Sequence, residues 1–444
     1  MFNKPFSKIE IQDIHDLVYN RQERENNHLE YKSKVGNSDK DKREFSKDVS
    51  GFANANGGFL IIGIEEKEGL PSKICGIERV LGNQKIDEWI NNVLISNIED
   101  KIRYEIRIFD LDDEKIVVVL YIAESPKKPH MVTSQKRNTY FIRHNTSVDP
   151  ATQSEVREMF EYSKKNRDEF ENFLKSRNLW DENDSAFGIN DNAKMLHNNM
   201  NPGSEDKKPF ILYSFVPRYL DNNRIKTSSK EFLDWLYKNN RGFNPLPDAR
   251  LFKTHERKIN LYGVVLPDSF KDSNNKEFYW RYLELLDSGF FESGISNDVF
   301  YDYVDNNTFL GNVMKLTKIV GYGWLLLGFA KIFFEKIGYY DEVIFQISIL
   351  NVKNYALGGF GNKDEKTSWA EPFTFNHSTP PLCSHEKFKI VEKFIVNELS
   401  DDLIKQMILD LSEKISRAFG EPVVKCFDDK GNFNTKGLRW FDDL

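Results

Sequence analysis

Gly51-Phe52-Ala53-Asn54-Ala55-Asn56-Gly57-Gly58-Phe59-Leu60-Ile61-Ile62-Gly63-Ile64-Glu65-Glu66 is the stretch from which the rest of the chain can be ordered. The paired glycines 57 and 58 free the backbone to turn. Before them, Asp39 to Asn56 carries Phe45, Val49, Phe52 and Ala53 at helical spacing. After them, Phe59 to Ile64 is short, nearly continuous and β-branched, the pattern of a buried strand. Period-2 alternation sets Leu60, Ile62, Ile64 and Glu66 on one face. Glu66 is then expected to project from the strand end, where loops gather and sites form.

Working outward, Ile9 to Arg24 reads as a short amphipathic helix through Ile9, Ile11, Ile14, Leu17 and Val18. The stretch around ENNHLEYKSK that follows it is polar and charged. Ile86 to Leu94 reads as a helix, and Tyr104 to Phe109 and Lys115 to Ile122 as strands around a polar turn. Thr139 to Arg143 reads as a strand and Thr152 to Lys165 as a helix. Residues 1–165 are therefore expected to form one α+β domain. Residues 166–208 read as the end of that helix and a linker, since Asp181 to Lys208 is rich in Asn, Asp, Ser and Gly. Residues 209–444 read as a second α+β domain. Its expected strands are Phe210 to Val216, Ile259 to Leu266, Phe278 to Leu286 and Val343 to Val352. Its expected helices are Ser228 to Tyr237, Phe309 to Phe334 and a broken one from Lys387 to Phe419. Trp280, Trp324, Phe333 and Phe334 read as core, and Asn362 to Lys366 as a polar loop.

Composition bounds the function. A chain of 444 residues suggests two or three domains, and 39% hydrophobic with 14% aromatic residues excludes wholesale disorder. A net charge of -7 excludes a basic coat, so any nucleic-acid contact must come from a local patch. Cys75, Cys383 and Cys426 are too few and too scattered for a disulfide framework or a four-Cys zinc site. The start, MFNKPFSKIEIQD, has no apolar signal core, and the longest apolar run, Ile319 to Ala330, is short of the roughly 20 residues of a bilayer span. The expectation is a soluble, cytoplasmic protein with no membrane partner. P-loop, GxSxG and HExxH segments are absent.

The chemistry concentrates near the N-terminus. Glu25 and Glu30 flank Leu29 and precede Lys32, and Glu66 lies at the expected strand end. Taken singly, each is an ordinary solvated charge. Converging, three carboxylates repel one another unless a divalent cation neutralises them, and oxygen-only ligands suit Mg²⁺ or Mn²⁺. Such a cation activates water and stabilises charge on a phosphate. Lys127, Lys128, His130, Lys136, Arg137, Arg143 and His144 form the main basic cluster, a candidate track for an RNA backbone. Lys40, Lys42, Arg43 and Lys47 form a second, mixed with acids.

In combination, these motifs resemble the Schlafen-type AlbA domain. The resemblance runs through Glu25, Leu29-Glu30-Tyr31-Lys32, Gly51 to Gly58 and Gly63-Ile64-Glu65-Glu66. It continues in Ser125-Pro126-Lys127-Lys128-Pro129-His130 and ends in Tyr140 to Ser147. It covers roughly a third of the chain. It implies a divalent-metal-dependent endoribonuclease that cleaves tRNA or other structured RNA, in a setting of antiviral defence. The metal ligands implied are Glu25, Glu30 and Glu66, with Glu65 as alternate, because the family's aspartate stands as Glu66 here. Lys32 is implied to orient a carboxylate or the scissile phosphate. Asn145 stands where many relatives have Gly, and Asn tolerates the same left-handed backbone. A single AlbA-like lobe implies a homodimer. The rival reading is a non-catalytic DNA-binding regulator whose second domain senses a ligand. A third is a protein-interaction module. Residues 209–444 carry no motif with a mechanism.

Overall fold

The computed structural model describes residues 2, 6–111, 115–134, 137–179, 209–242, 246, 249–253, 256–271, 277–296, 299–305, 308–358 and 380–421. The chain divides into two compact units, Met1–Asp168 and Glu169–Leu444, each of mixed helix and strand. The expected linker over 181–208, the loop from Asn362 to Lys366 and Lys136 lie outside the described residues.

In the first unit, the helix α1 (Ile11–His15) continues into a π-helical turn over Asp16–Asn20 and stops short of the expected Arg24. The polar stretch after it holds a strand that its charge conceals: β1 (Leu29–Lys32) turns Leu29 and Tyr31 into the core and Glu30 and Lys32 the other way. Helix α2 (Asp39–Asn54) starts at a Ser38 capping box, whose side chain accepts from the Asp41 N–H, and buries Phe45, Val49 and Phe52. It ends where Gly57, at φ +68, reverses the chain; a Cβ there would stand 2.5 Å from the Glu124 nitrogen.

That turn delivers β2 (Gly58–Ile62) to the centre of a five-stranded sheet. β2 runs parallel to β1 and antiparallel to Lys115–Ile122, which pairs in turn with Tyr104–Asp110. Both faces of the sheet are covered. Leu60, Ile62, Val118 and Leu120 pack with Phe52 of α2 and with Trp89 and Ile90 of the Ile86–Asn97 helix. Ile61, Val117 and Val119 pack with Leu29, Tyr31, Ile14 and Leu17. Two-sided burial, worth about 1.5–3 kcal/mol for each large side chain, explains the near-continuous apolar run.

The expected alternation from Leu60 to Glu66 does not hold. Gly63, at φ +101, breaks the strand, so Ile64 packs with Ile61 rather than with Leu60 and Ile62. The chain then forms a separate hairpin of β3 (Ile64–Lys67) and β4 (Leu70–Ile74), with a register shift between Glu65 and Glu66. A second sheet joins Ser147–Pro150, Thr139–His144, Met131–Val132 and Ile98–Glu99. The last helix runs over Gln153–Ser176, well beyond Lys165.

The second unit holds a seven-stranded antiparallel sheet in the order Lys258–Ile259, Gly263–Lys271, Glu277–Leu286, Phe291–Ile295, Phe210–Pro217, Glu342–Leu350, Lys387–Ile395. The helix Leu316–Lys336 is apolar enough to cross a membrane by length and composition, yet 83% of its apolar window is buried in the core. Two expected helices are corrected. Thr308–Lys315 is a strand, and the helix begins only at Leu316. Lys387–Ile395 is also a strand, its apolar residues alternating with lysines, and the helix after it is Asp401–Ala418, capped by Ser400. Trp324, Phe333 and Phe334 are buried, whereas Trp280 is partly exposed beneath the Arg281 guanidinium.

Candidate functional site

β1 lies at the sheet edge, with Glu30 opposite Leu60 and Lys32 opposite Ile62. Glu30 and Lys32 thus share a face on which α2 packs. Lys32 Nζ stands 3.1 Å from Glu30 Oε1 and 2.8 Å from Oδ2 of Asp48, a buried acid of α2. From the Thr139–His144 strand, Arg143 reaches the same place with its side chain fully buried. It donates to Glu30 Oε2, to the Asn26 carbonyl (Nε 3.2 Å, Nη2 2.9 Å) and to the Leu29 carbonyl (3.1 Å). Its guanidinium lies 4.4 Å from the centre of the Phe52 ring. Glu30 therefore sits between two cations.

Glu25 and Glu66 meet at the β3–β4 turn. The Glu25 N–H donates to the Gly69 carbonyl (2.8 Å), and the Gly69 N–H donates to Glu66 Oε2 (2.7 Å). Glu25 Oε1 accepts from the Tyr31 N–H (2.9 Å). Burial pushes the half-buried Glu25 carboxyl up; the Tyr31 amide opposes this, and the charges of Glu30 and Glu66 add to it. The structure thus brings Glu30 and Glu66 each near enough to Glu25 to repel it. Burial pushes Asp48 up to about 6, Lys32 opposing and Glu30 adding. Burial works against the Lys32 charge, yet Asp48 and Glu30 more than offset it and hold Lys32 protonated. Glu65 points elsewhere: it is exposed, and its charge acts on the Cys75 thiol.

The donor set is oxygen-only, as a hard divalent cation requires. The geometry nevertheless divides the three expected ligands. Glu25 and Glu66 each commit one carboxylate oxygen to a backbone N–H, but both oxygens of Glu30 face cations. Among the described residues, no three His, Cys, Asp or Glu side chains are arranged to hold a metal ion. Donor chemistry fits at Glu25 and Glu66; at Glu30 the ion pairs stand in its place.

The expected basic track is also redrawn. His130 is fully buried, its Nε2 2.6 Å from the Ser125 hydroxyl and its backbone N–H bonded to Asn54. Burial lowers its proton affinity, against the opposing pull of the Asp100 carbonyl. Lys128 is buried against Glu124 (2.6 Å) and the Tyr162 ring. Arg143 serves the carboxylate cluster. Lys127, Arg137 and His144 are exposed, with His144 3.0 Å from Glu155. In the second cluster, Arg43 is tied to the Ser134 and Arg137 carbonyls. Sequence reasoning missed Asp48, although a signal was there. It falls three residues after Phe45 and four before Phe52, an acid inside the apolar stripe of α2.

Residues 25–152, which include every member of this cluster, match the family described as Schlafen, AlbA_2. No curated protein matches. Among solved structures, the DIP2311 protein from Corynebacterium diphtheriae is similar at 19% identity and a TM-score of 0.21, over 30% of this chain and 21% of that one. The N-terminal part of this chain is a Schlafen AlbA_2 domain.

Proposed function

We propose that the chain is a Mg²⁺- or Mn²⁺-dependent endoribonuclease that cuts tRNA or a similarly structured RNA in the cytoplasm, as an antiviral defence. The observation that carries the reading is the gathering of Glu30 and Glu66 about the half-buried Glu25, whose proton affinity their charges help to raise. Glu25 and Glu66 would hold the cation. When bound, it would supply an activated water and a counter-charge for the phosphate. Lys32 orients Glu30, and Arg143 fixes the turn between Glu25 and β1. Lys127 and Arg137 contact backbone phosphates. A second copy of the chain supplies a second RNA-holding lobe, and a sizing column showing a strict monomer in the active state would exclude that part.

The test is cleavage of total tRNA by the full chain with Mn²⁺, Mg²⁺ or EDTA, beside Glu25→Gln and Glu66→Gln. These substitutions keep shape and remove the charge a metal needs. Metal-dependent fragments lost in both variants support the reading. A wild type that binds RNA but yields no fragments under any metal sinks it.

One observation favours the rival, a non-catalytic DNA-binding regulator with a sensing second unit: Lys32 and Arg143 already neutralise Glu30. That reading expects duplex DNA to be bound equally well with EDTA and with Mn²⁺, and by wild type and Glu25→Gln alike.

A further inference from the structure

Within the first unit, the Gln153–Ser176 helix packs through one face and leaves another bare. Met159 is buried, Ser163 donates to the Lys128 carbonyl, and Asn166 donates to the Pro126 carbonyl (3.4 Å). These residues recur at three- and four-residue spacing and so share a face. Turned away from it, Arg157, Phe160, Lys164 and Arg167 follow the same spacing and form a second stripe. All four are exposed, Phe160 by 54%. At 1.5 Å per residue the stripe is about 15 Å long.

Two features set this stripe apart from an ordinary solvated face. An apolar ring stands where the helix does not need it for packing. Phe160 meets Tyr140 of the Thr139–His144 strand edge-on, with ring centres 6.2 Å apart, and still leaves more than half of itself in water. The cations beside it are uncommitted. Glu161 and Asp168 flank the stripe, yet among the described residues Arg157, Lys164 and Arg167 form no ion pair. The chain as a whole is acidic, at -7, so a nucleic acid must be met by a local patch. Cations repeated along a helix complement the regular charge of a phosphate backbone. An exposed ring among them complements an unpaired base, which stacks on aromatic side chains whatever its identity. A lipid surface would instead be met by a wider apolar face than one ring.

We infer that Arg157, Phe160, Lys164 and Arg167, with Tyr140, form a binding strip for an unpaired loop or end of RNA. The three cations hold phosphates and Phe160 stacks on a base. This inference rests on the reading above for RNA as the partner, and needs neither the metal nor cleavage. Tyr140 lies on the strand that supplies Arg143 to Glu30, about 10 Å along it. That end of the strip is therefore within the span of a few nucleotides of the carboxylate cluster.

The experiment is fluorescence anisotropy of the full chain in EDTA across a salt series. The probes are an RNA hairpin with an unpaired loop and a blunt RNA duplex of equal length. The proteins are wild type, Phe160→Ala, Phe160→Tyr, and a triple variant carrying Arg157→Gln, Lys164→Gln and Arg167→Gln together. Every substituted side chain is exposed, so the variants keep the wild-type fold, which thermal melts check. Phe160→Ala weakens hairpin binding roughly 5- to 150-fold, keeps its salt slope, and changes duplex affinity less than about twofold. Phe160→Tyr, which keeps the ring, binds as wild type does. The triple variant lowers the salt slope of hairpin binding by about 2. Hairpin binding unchanged in Phe160→Ala, or hairpin and duplex weakened equally, overturns the strip, as does a salt slope that the triple variant leaves alone. Anionic lipid vesicles bound by wild type and lost in Phe160→Ala, with hairpin binding kept, also overturn it and assign the face to a membrane surface. Hairpin binding through the strip without cleavage under any metal keeps this inference and sinks the nuclease reading. A wild type that binds neither RNA sinks both.

Discussion

Replacing Arg143 with Met separates a buried clamp from a surface RNA contact. The structure gives this guanidinium donor contacts to Glu30, Asn26 and Leu29, and a ring face on Phe52, with its side chain wholly buried. Methionine keeps the apolar packing on Phe52 but strips Glu30 of one of its two cations and leaves two carbonyls short of a donor. Breaking a buried pair from one side costs about 3–5 kcal/mol. A unit of this size loses about 2–4 °C per kcal/mol, so the melting temperature of the first unit should fall by roughly 6–20 °C. Arg143→Lys, which keeps charge but not the fork, should fall between. The assay is calorimetry of the full chain at pH 7, paired with tRNA binding across a salt series. A loss under about 1 kcal/mol, together with a salt slope reduced by about 0.9, would mean that Arg143 is an exposed phosphate contact and that the clamp argument is wrong.

Three further outcomes are expected. Gly63→Ala should lower stability by about 1–3 kcal/mol, because φ is +101 and a Cβ would stand 3.1 Å from Gly76 Cα and 3.2 Å from the Ile116 carbonyl; an unchanged melting temperature refutes this. Burial raises Asp48 to about 6, above its unfolded value of about 3.9, so its contribution to stability is complete below about pH 4 and is lost as pH rises through 6. Wild type should therefore gain on Asp48→Asn between pH 7 and pH 5 in denaturant melts, and a flat or reversed gap would count against the burial argument. Replacing exposed Lys127 and Arg137 together with Ala should reduce the log–log salt slope of tRNA binding by about 1.8 without moving the melting temperature; a slope equal to wild type removes both from the RNA path.

The elements most legible in the sequence were those with one strong periodicity and clear punctuation. α2 runs from its Ser38 cap towards the Gly57-Gly58 turn, and Lys115–Ile122 and Phe210–Pro217 read directly as apolar β-branched strands. Periodicity failed where two apolar elements adjoin. Thr308–Lys315 and the helix from Leu316 form one hydrophobic stretch, and only pairing with Phe300–Asp305 and Tyr355–Gly358 makes the first part a strand. β1 was concealed because two of its four residues are charged, and its partner lies about thirty residues away in sequence.

The candidate site divides along the same line. The sequence by itself singled out Glu25, Glu30, Glu66 and Lys32 as candidates, because residue type and order are local properties that a motif preserves. It could not say which charges face water. Lys128, His130 and Arg143 read as one basic run with Lys127 and Arg137, and the tertiary structure turned the first three inward against Glu124, Ser125 and Glu30. Asp48 entered the cluster only because α2 packs against the β1 edge. The side-chain type fixes the charge on a residue, but its partner and solvation depend on segments brought together from far along the chain, and those decide whether Glu30 meets a metal, a lysine or an arginine.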